Sequence, residues 1–285
     1  MLCALADRSP GGRDARLGAP IDPAEHQPGP GPRGPSTLTG RNGTIGPNSA
    51  HAKVDVSHTE NHLIEQLPRQ DRRHLLALCE PIELVLSEVL CEAGQVIHHV
   101  YFPVNGFISL VASIDGHPGL EVGMVGREGV LGAPLCLGVS TAPLRALVQG
   151  AGSAWRIGAA NFLTELRRNV ALQKSLDRYL YVRIVQLASA ATCLRYHLIG
   201  PRLARWLLMS QDRAHTDHFH VTHEFLAYML GVRRVGVTVA AGALQRAGLI
   251  TYRRGEVRVL DRSGLEVAAC SCYANDLQAY ARLVR

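Results

Sequence analysis

Hydrophobic and polar positions change their period several times along the chain. Residues 1–58 show no sustained period and are rich in Pro, Gly and Ser, as in GAPIDPAEHQPGPGPRGPSTLTGRNGTIGP. Such a segment cannot bury enough apolar surface to offset its ordering entropy, so a disordered arm is expected. Leu63, Ile64, Leu67, Leu75, Leu76 and Leu78 then predict a short helix from His62 to Cys79. From Pro81 to Ile157 short β-type runs follow: IELVLSEVL, QVIHHVYFPV, FISLVASI, LEVGMVG, APLRALVQG and SAWRI. Asn105-Gly106 and Asp115-Gly116 are tight-turn signals between them, and the spacing predicts a small antiparallel barrel or roll over 59–168.

Next, Leu172, Leu176, Leu180, Ile184, Leu187, Ala191, Leu194 and Leu198 recur at steps of three and four. This narrow stripe, over 169–199, predicts one long helix whose seam is covered by a second copy of the chain. Gly200-Pro201 is expected to end it. Past Pro201 come a shorter helix (Leu203 to Ser210), a His-rich segment, the stretch LGVRRVGVTVAAGALQRAGL, and TYRRGEVRVLD. The last reads as a hairpin turning at Gly255.

Two periods compete in the LGVRRVGVTVAAGALQRAGL stretch. Val235, Val237 and Val239 alternate as in a strand, while 240–246 read as helix. A helix-turn-helix resolves the conflict. Counting from His223, Ala227 is the small residue over which a second helix can cross, with Leu226 and Leu230 inward and Gly231 at the turn. Val232 covers the turn, and Val237, Ala240 and Leu244 form the inner face of the second helix. Arg233, Arg234, Thr238 and Gln245 then point outward. Thr222 is the expected N-cap of the first helix. Gly236 and Gly242 oppose this reading, each costing about 1 kcal/mol relative to Ala in a helix interior, so tertiary packing must offset them.

Composition sharpens the picture. The chain has 285 residues and is 47% hydrophobic, room for a two-domain core. No apolar run reaches the roughly 18–20 residues that cross a bilayer, and the N-terminal apolar stretch is too short for a signal peptide. A soluble, cytoplasmic protein without membrane partners is expected. Formal net charge is +6, and residues 201–260 hold nine Arg against four Asp or Glu, an excess of +5. That concentration predicts a polyanion-facing module.

The helix-turn-helix stretch, VTHEFLAYMLGVRRVGVTVAAGALQRAGLI, resembles that of the cyclic-AMP receptor protein/FNR (Crp/Fnr) family of bacterial transcription regulators. Thr222, Leu226, Ala227, Gly231, Arg234, Val237, Leu244, Gly248, Leu249 and Ile250 match the family pattern. Val235 stands where relatives carry Glu, and Val239 where they carry a second Arg. The resemblance spans about 60–275. It implies an α+β fold: an N-terminal β-roll of the cyclic-nucleotide-binding kind, a long dimerisation helix, and a C-terminal winged helix-turn-helix over 200–285. It also implies a homodimer on double-stranded DNA, with RNA polymerase as a further partner. By this correspondence Arg234 reads a base, Arg233 and Thr238 contact base or phosphate, Arg253 and Arg254 on the wing meet phosphate, and Thr222 and Gln245 complete the DNA-binding set.

In the family a Gly-Glu-Leu start and a later Arg-Ser/Thr-Ala hold the cyclic nucleotide. Here Gly129-Val130-Leu131-Gly132 replaces the carboxylate by Val130, and the arginine position falls at Ser140, before Thr141-Ala142. An apolar side chain cannot bond a ribose hydroxyl, and a phosphate without the guanidinium lacks its charged partner. The roll is therefore expected to keep its shape without binding cyclic AMP, its effector unidentified. A shifted register would use Glu128 and Arg145 instead.

Other groupings carry less. His215, His218, His220 and His223 lack a ligand set beyond Asp217, and His98-His99 lack a nucleophile. The seven cysteines include no CxxC pair. Cys270-Ser-Cys272 offers a redox pair, Cys136 lies within the cassette, and an FNR-type iron–sulfur cluster is excluded because the arm has only Cys3. No metal, cofactor or catalytic site is expected. The rival reading is a ligand-binding or redox-sensing module acting through protein–protein contacts.

Overall fold

In the computed structural model residues 61–114 and 119–283 are described. The predicted arm and the Asp115-Gly116 turn lie outside them. Asn61 caps the first helix, its Oδ1 accepting from Ile64 N. The helix predicted over 62–79 is two, α1 (His62–Glu65) and α2 (Arg69–Ala77), parted before Pro68, whose ring disfavours helical backbone in the residue ahead of it.

The β region is one antiparallel sheet: β1 (Glu80–Leu84), β2 (Val89–Cys91), β3 (His99–Ala112), β4 (Leu120–Val125) and β5 (Arg145–Gly158), in the order β1-β5-β3-β4, with β2 also on β5. Asn105-Gly106 is no hairpin turn. The two runs flanking it are one 14-residue strand, β3, paired with the equally long β5. Gly106, at φ +73°, sits among three register shifts in that pairing. A Cβ there would lie 2.3 Å from the Gly150 carbonyl oxygen, and one on Gly152 would lie 2.3 Å from the Asn105 oxygen. Glycines facing each other thus admit a bulge that bends both strands and rolls the sheet.

α3 (Ala159–Arg168) leads into α4 (Val170–Tyr196), capped by Asn169. The leucine stripe divides along α4. Leu172 and Leu176, with Tyr179 and Val182, are buried against Leu63, Phe102 and Phe162 of the same chain, and Leu180 is partly buried there. Ile184, Leu187, Ala191 and Leu194 are exposed. Only this second half is left for a partner. The helix breaks at His197–Leu198, since α5 (Ile199–Ala214) already contains Gly200-Pro201. Pro201 occupies its first turn, where the missing N–H is harmless.

The C-terminal part comprises β6 (His218–His220), α6 (His223–Leu230), α7 (Arg234–Arg246), β7 (Ile250–Arg253), β8 (Glu256–Val259), α8 (Arg262–Ala268) and α9 (Cys272–Leu283). The hairpin gains a third strand, in the order β6-β8-β7. The core of this part includes Trp206, Leu207, Leu226, Val237, Leu244 and Val257, and it also takes in Phe107 and Met124 from the β-roll.

Candidate nucleic-acid interface and effector cavity

The expected helix-turn-helix is formed by α6 and α7, between which the chain turns through 108°, within the range of the motif. Thr222 Oγ1 accepts from Phe225 N at 3.1 Å as N-cap. Gly231 takes φ +61° at the C-terminus of α6, and Val232 N donates to Ala227 O, closing the turn. Val237, Ala240 and Leu244 are buried, whereas Val235 and Val239 are 66% and 65% exposed. The strand-like alternation is therefore a helix with two valines on its outer face.

The outward residues have different duties. Arg233 is the N-cap residue of α7 without capping through its side chain, and Arg234 begins the helix. Arg234 has a carboxylate, Glu224, no nearer than 3.9 Å. Thr238 Oγ1 donates to Arg234 O and meets His223 Nδ1 at 3.0 Å, so its hydroxyl is engaged within the protein. Burial, then the Arg234 charge, pushes His223 down from its ordinary pKa, and its ring stacks on Tyr252 at 4.3 Å. Gln245 does not simply project outward: its Oε1 accepts from Tyr252 N at 2.8 Å and ties α7 to the wing. Arg254 at φ +53° and Gly255 at φ +85° form the two-residue turn of the wing, leaving Arg253 and Arg254 exposed.

The arginine excess splits in two. Arg205 pairs with Asp276, Arg213 with Glu128 and Arg258 with Asp217, while Arg202 donates to Leu230 O. Arg233, Arg234, Arg246, Arg253 and Arg254 remain, all on α7, its N-cap and the wing. His218 and His220 both contact Glu256, at 2.7 and 2.6 Å. That carboxylate lies 36 and more residues away in sequence, and its pKa is lowered chiefly by the His220 hydrogen bond.

In the β-roll a cavity of about 380 Å³ is lined by Val130, Leu131 and Gly132, together with Ile97, Leu110 and Val125. Gly129 and Arg145 are not among its walls. A Cβ on Gly129 would lie 2.3 Å from the Tyr179 hydroxyl, and Arg145 is turned to Glu92 at 3.3 Å. Glu128 is held by Arg213 at 2.8 Å and its carbonyl accepts from Tyr280 Oη. Both charged groups of the shifted cassette register thus have other partners in the structure. Ser140 and Thr141 are exposed. The guanidinium that does line the cavity is Arg183, whose Nη1 donates to Met124 O and Gln186 Oε1.

Residues 201–268 match the model of the Crp-like helix-turn-helix domain. The chain carries a Crp-like helix-turn-helix domain on a fold shared with solved Crp/Fnr-type structures. Similar solved structures include FixK2 from Bradyrhizobium japonicum, at 14% identity and TM-score 0.55, covering 67% of this chain and 98% of that one. A putative Crp/Fnr-family regulator from Eubacterium rectale is 15% identical at TM-score 0.57, covering 73% and 99%. The c-di-GMP responsive regulator CLP of Xanthomonas campestris is 17% identical at TM-score 0.53, covering 67% and 99%. No curated protein matches the chain. Among the described residues no single helix is long and apolar enough to cross a membrane.

One grouping of possible ligand side chains is not apparent from the sequence. Cys193 and His197, one turn apart at the end of α4, meet Cys270 and Cys272 ahead of and at the start of α9. The local signals were Cys-x3-His on a helix and Cys-x-Cys, 73 and more residues apart. Spacing alone could not join them.

Proposed function

We propose that the chain is a homodimeric, sequence-specific DNA-binding transcription regulator whose β-roll does not take cyclic AMP. The observation that carries this reading is the distribution of arginines within residues 201–260: those with no carboxylate or carbonyl partner nearer than 3.9 Å are gathered on α7, its N-cap and the wing. In this geometry Arg234 reads a guanine edge and Arg233 contacts base or phosphate. Arg253 and Arg254 on the wing meet phosphate, and Thr222 and Gln245 hold the two helices and the wing in register. Two such heads reach half-sites about 34–36 Å apart. The dimer forms through the exposed half of the α4 stripe, Ile184, Leu187, Ala191 and Leu194. RNA polymerase is the further partner expected of a regulator of this fold.

The cavity supports the loss of cyclic-nucleotide binding. Val130 sits where a carboxylate would meet the ribose, Arg145 faces away, and the walls are mainly aliphatic. A small, largely apolar effector suits them better than a cyclic phosphate. Measuring binding to a selected duplex over a range of salt tests the DNA reading. With three phosphate-facing arginines per subunit (Arg233, Arg253 and Arg254), log affinity against log salt should slope about −5 for the dimer. A flat salt response would refute it. Thermal shift with cyclic AMP and cyclic GMP should show no stabilisation, and stabilisation by either would overturn the cavity reading.

A further inference from the structure

The conjunction of α4 with the start of α9 brings four donor atoms to one point. Cys193, Cys270 and Cys272 are buried, and the ligand atoms of all three and of His197 lie within 4.8 Å of one another. Cys193 Sγ and Cys270 Sγ are 3.6 Å apart, and Cys272 Sγ is 3.5 Å from His197 Nδ1. We propose that these four residues form a Cys3His site for a tetrahedral divalent metal ion of the zinc type.

The separations match that coordination. With Zn–S of about 2.3 Å and Zn–N of about 2.0–2.1 Å, a tetrahedron has S···S edges of about 3.8 Å and S···N edges of about 3.6 Å. Three thiolates and one imidazole form a closed ligand set with no open position, which is the structural rather than the catalytic type, and soft sulfur donors in this geometry select zinc. A dithiol switch between Cys193 and Cys270 would need neither His197 nor Cys272, yet both turn their donor atoms to the same point. Three thiolates around a dication leave a net charge of −1, and the Arg202 and Arg205 guanidiniums stand close enough for their charges to act on Cys193 and Cys270. Backbone bonds fix the ligand segments: Cys270 N donates to Pro201 O, His197 N to Cys193 O, and Tyr273 N to Cys270 O.

Position gives the site a role. His197 is the residue at which α4 ends, with extended backbone (φ −101°, ψ 140°), before α5 begins two residues later. A metal held there pins the joint between the long helix and the DNA-binding domain to the segment that follows α8. Occupancy thereby sets how freely that domain moves against the helix, a constraint independent of any occupant of the β-roll cavity. The assignment rests on ligand geometry and stands whether or not the chain binds DNA.

The test is metal analysis of the full chain purified under reducing conditions, followed by replacement of the ion with Co2+. One zinc per chain is expected. The cobalt form should show thiolate-to-cobalt charge-transfer and tetrahedral d–d absorption. Cys272→Ser and His197→Ala should lose the ion, while Cys79→Ser should keep it. If the ligand variants fail to fold, the cobalt spectrum of the unaltered chain decides by itself. A folded, reduced chain that contains no zinc and gives no thiolate–cobalt spectrum overturns the assignment. So does zinc retained by the Cys193→Ser, Cys272→Ser double variant, or a Cys193–Cys270 disulfide as the stable state of the metal-exposed protein.

Discussion

Replacing Arg234 by Ala separates base reading from general attraction to DNA. In the free protein little changes, because the side chain is 69% exposed and its nearest carboxylate is 3.9 Å away; a surface pair of that kind contributes about 0–1 kcal/mol. On DNA, a guanidinium bonded twice to guanine is worth about 1–3 kcal/mol of discrimination. A dimer on two half-sites loses it twice, about 2–6 kcal/mol, and each 1.4 kcal/mol is tenfold. The expected loss on the preferred duplex is therefore from about 30-fold to about 10⁴-fold, with a much smaller loss on a scrambled duplex. Fluorescence anisotropy on both duplexes at one fixed salt concentration measures this. The companion variant Arg253→Ala should weaken both duplexes alike and reduce the salt slope by about 2 per dimer. Preferred-site affinity of Arg234→Ala within twofold of the parent would refute the register in which α7 enters the groove.

Leu187→Glu and Ile184→Glu should give folded monomers by light scattering, since both side chains are exposed in the single chain, whereas Leu176→Glu, at 0% exposure, should unfold the β-roll; dimers surviving both exposed substitutions would place the interface elsewhere. Glu121, whose oxygens accept from Ser109 Oγ at 2.5 Å and Trp206 Nε1 at 2.9 Å, has a carboxyl pushed up to about 7, mainly by burial and against the Arg213 and Arg205 charges. The folded state thus holds this proton more tightly than the unfolded one, so stability should fall as pH rises from 4.5 to about 7. Urea midpoints of Glu121→Gln should lack that part of the slope, and an unchanged slope would rule the group out. Gly106→Ala should cost more than about 2 kcal/mol in chemical denaturation, because left-handed strain of about 1–2 kcal/mol adds to a clash with the Gly150 carbonyl. Gly94→Ala, at φ +82° with nothing within 4 Å, should show only the strain.

The helix-turn-helix was legible because its constraints are local. A capping threonine, a small residue, a glycine and an inner face at helical spacing all fall within about 25 residues, and Gly231 does adopt the positive φ its position requires. The β-roll was legible in kind but not in connection. Asn-Gly has the same backbone freedom in a bulge as in a hairpin turn, and only the glycines at 150 and 152, opposite it, decide between them. The leucine stripe was read as one seam because its period is constant, but the β-roll covers only its first half. The partners of Arg145 and Glu128 are not legible in the sequence for a related reason. Charged residues near a cassette in sequence are claimed by whichever partner the fold brings close, here Glu92 and Arg213.

Phe107 and Met124 belong by sequence to the β-roll, yet they are buried among Trp206, Leu207 and Val237 of the DNA-binding domain. Met229 of α6 packs in turn on Val111 and Leu147 of the sheet. The two halves share an interior instead of meeting at a hydrated boundary. A change of volume at Phe107 or Met124 alters folding and the seating of α6 and α7 together, since close-packed interiors transmit such changes. In the regulator proposed above, selection for a stable β-roll and selection for a given strength of gene control act on the same few side chains. In such a regulator an interior substitution resets the regulatory threshold while every residue proposed to contact ligand or base is left untouched.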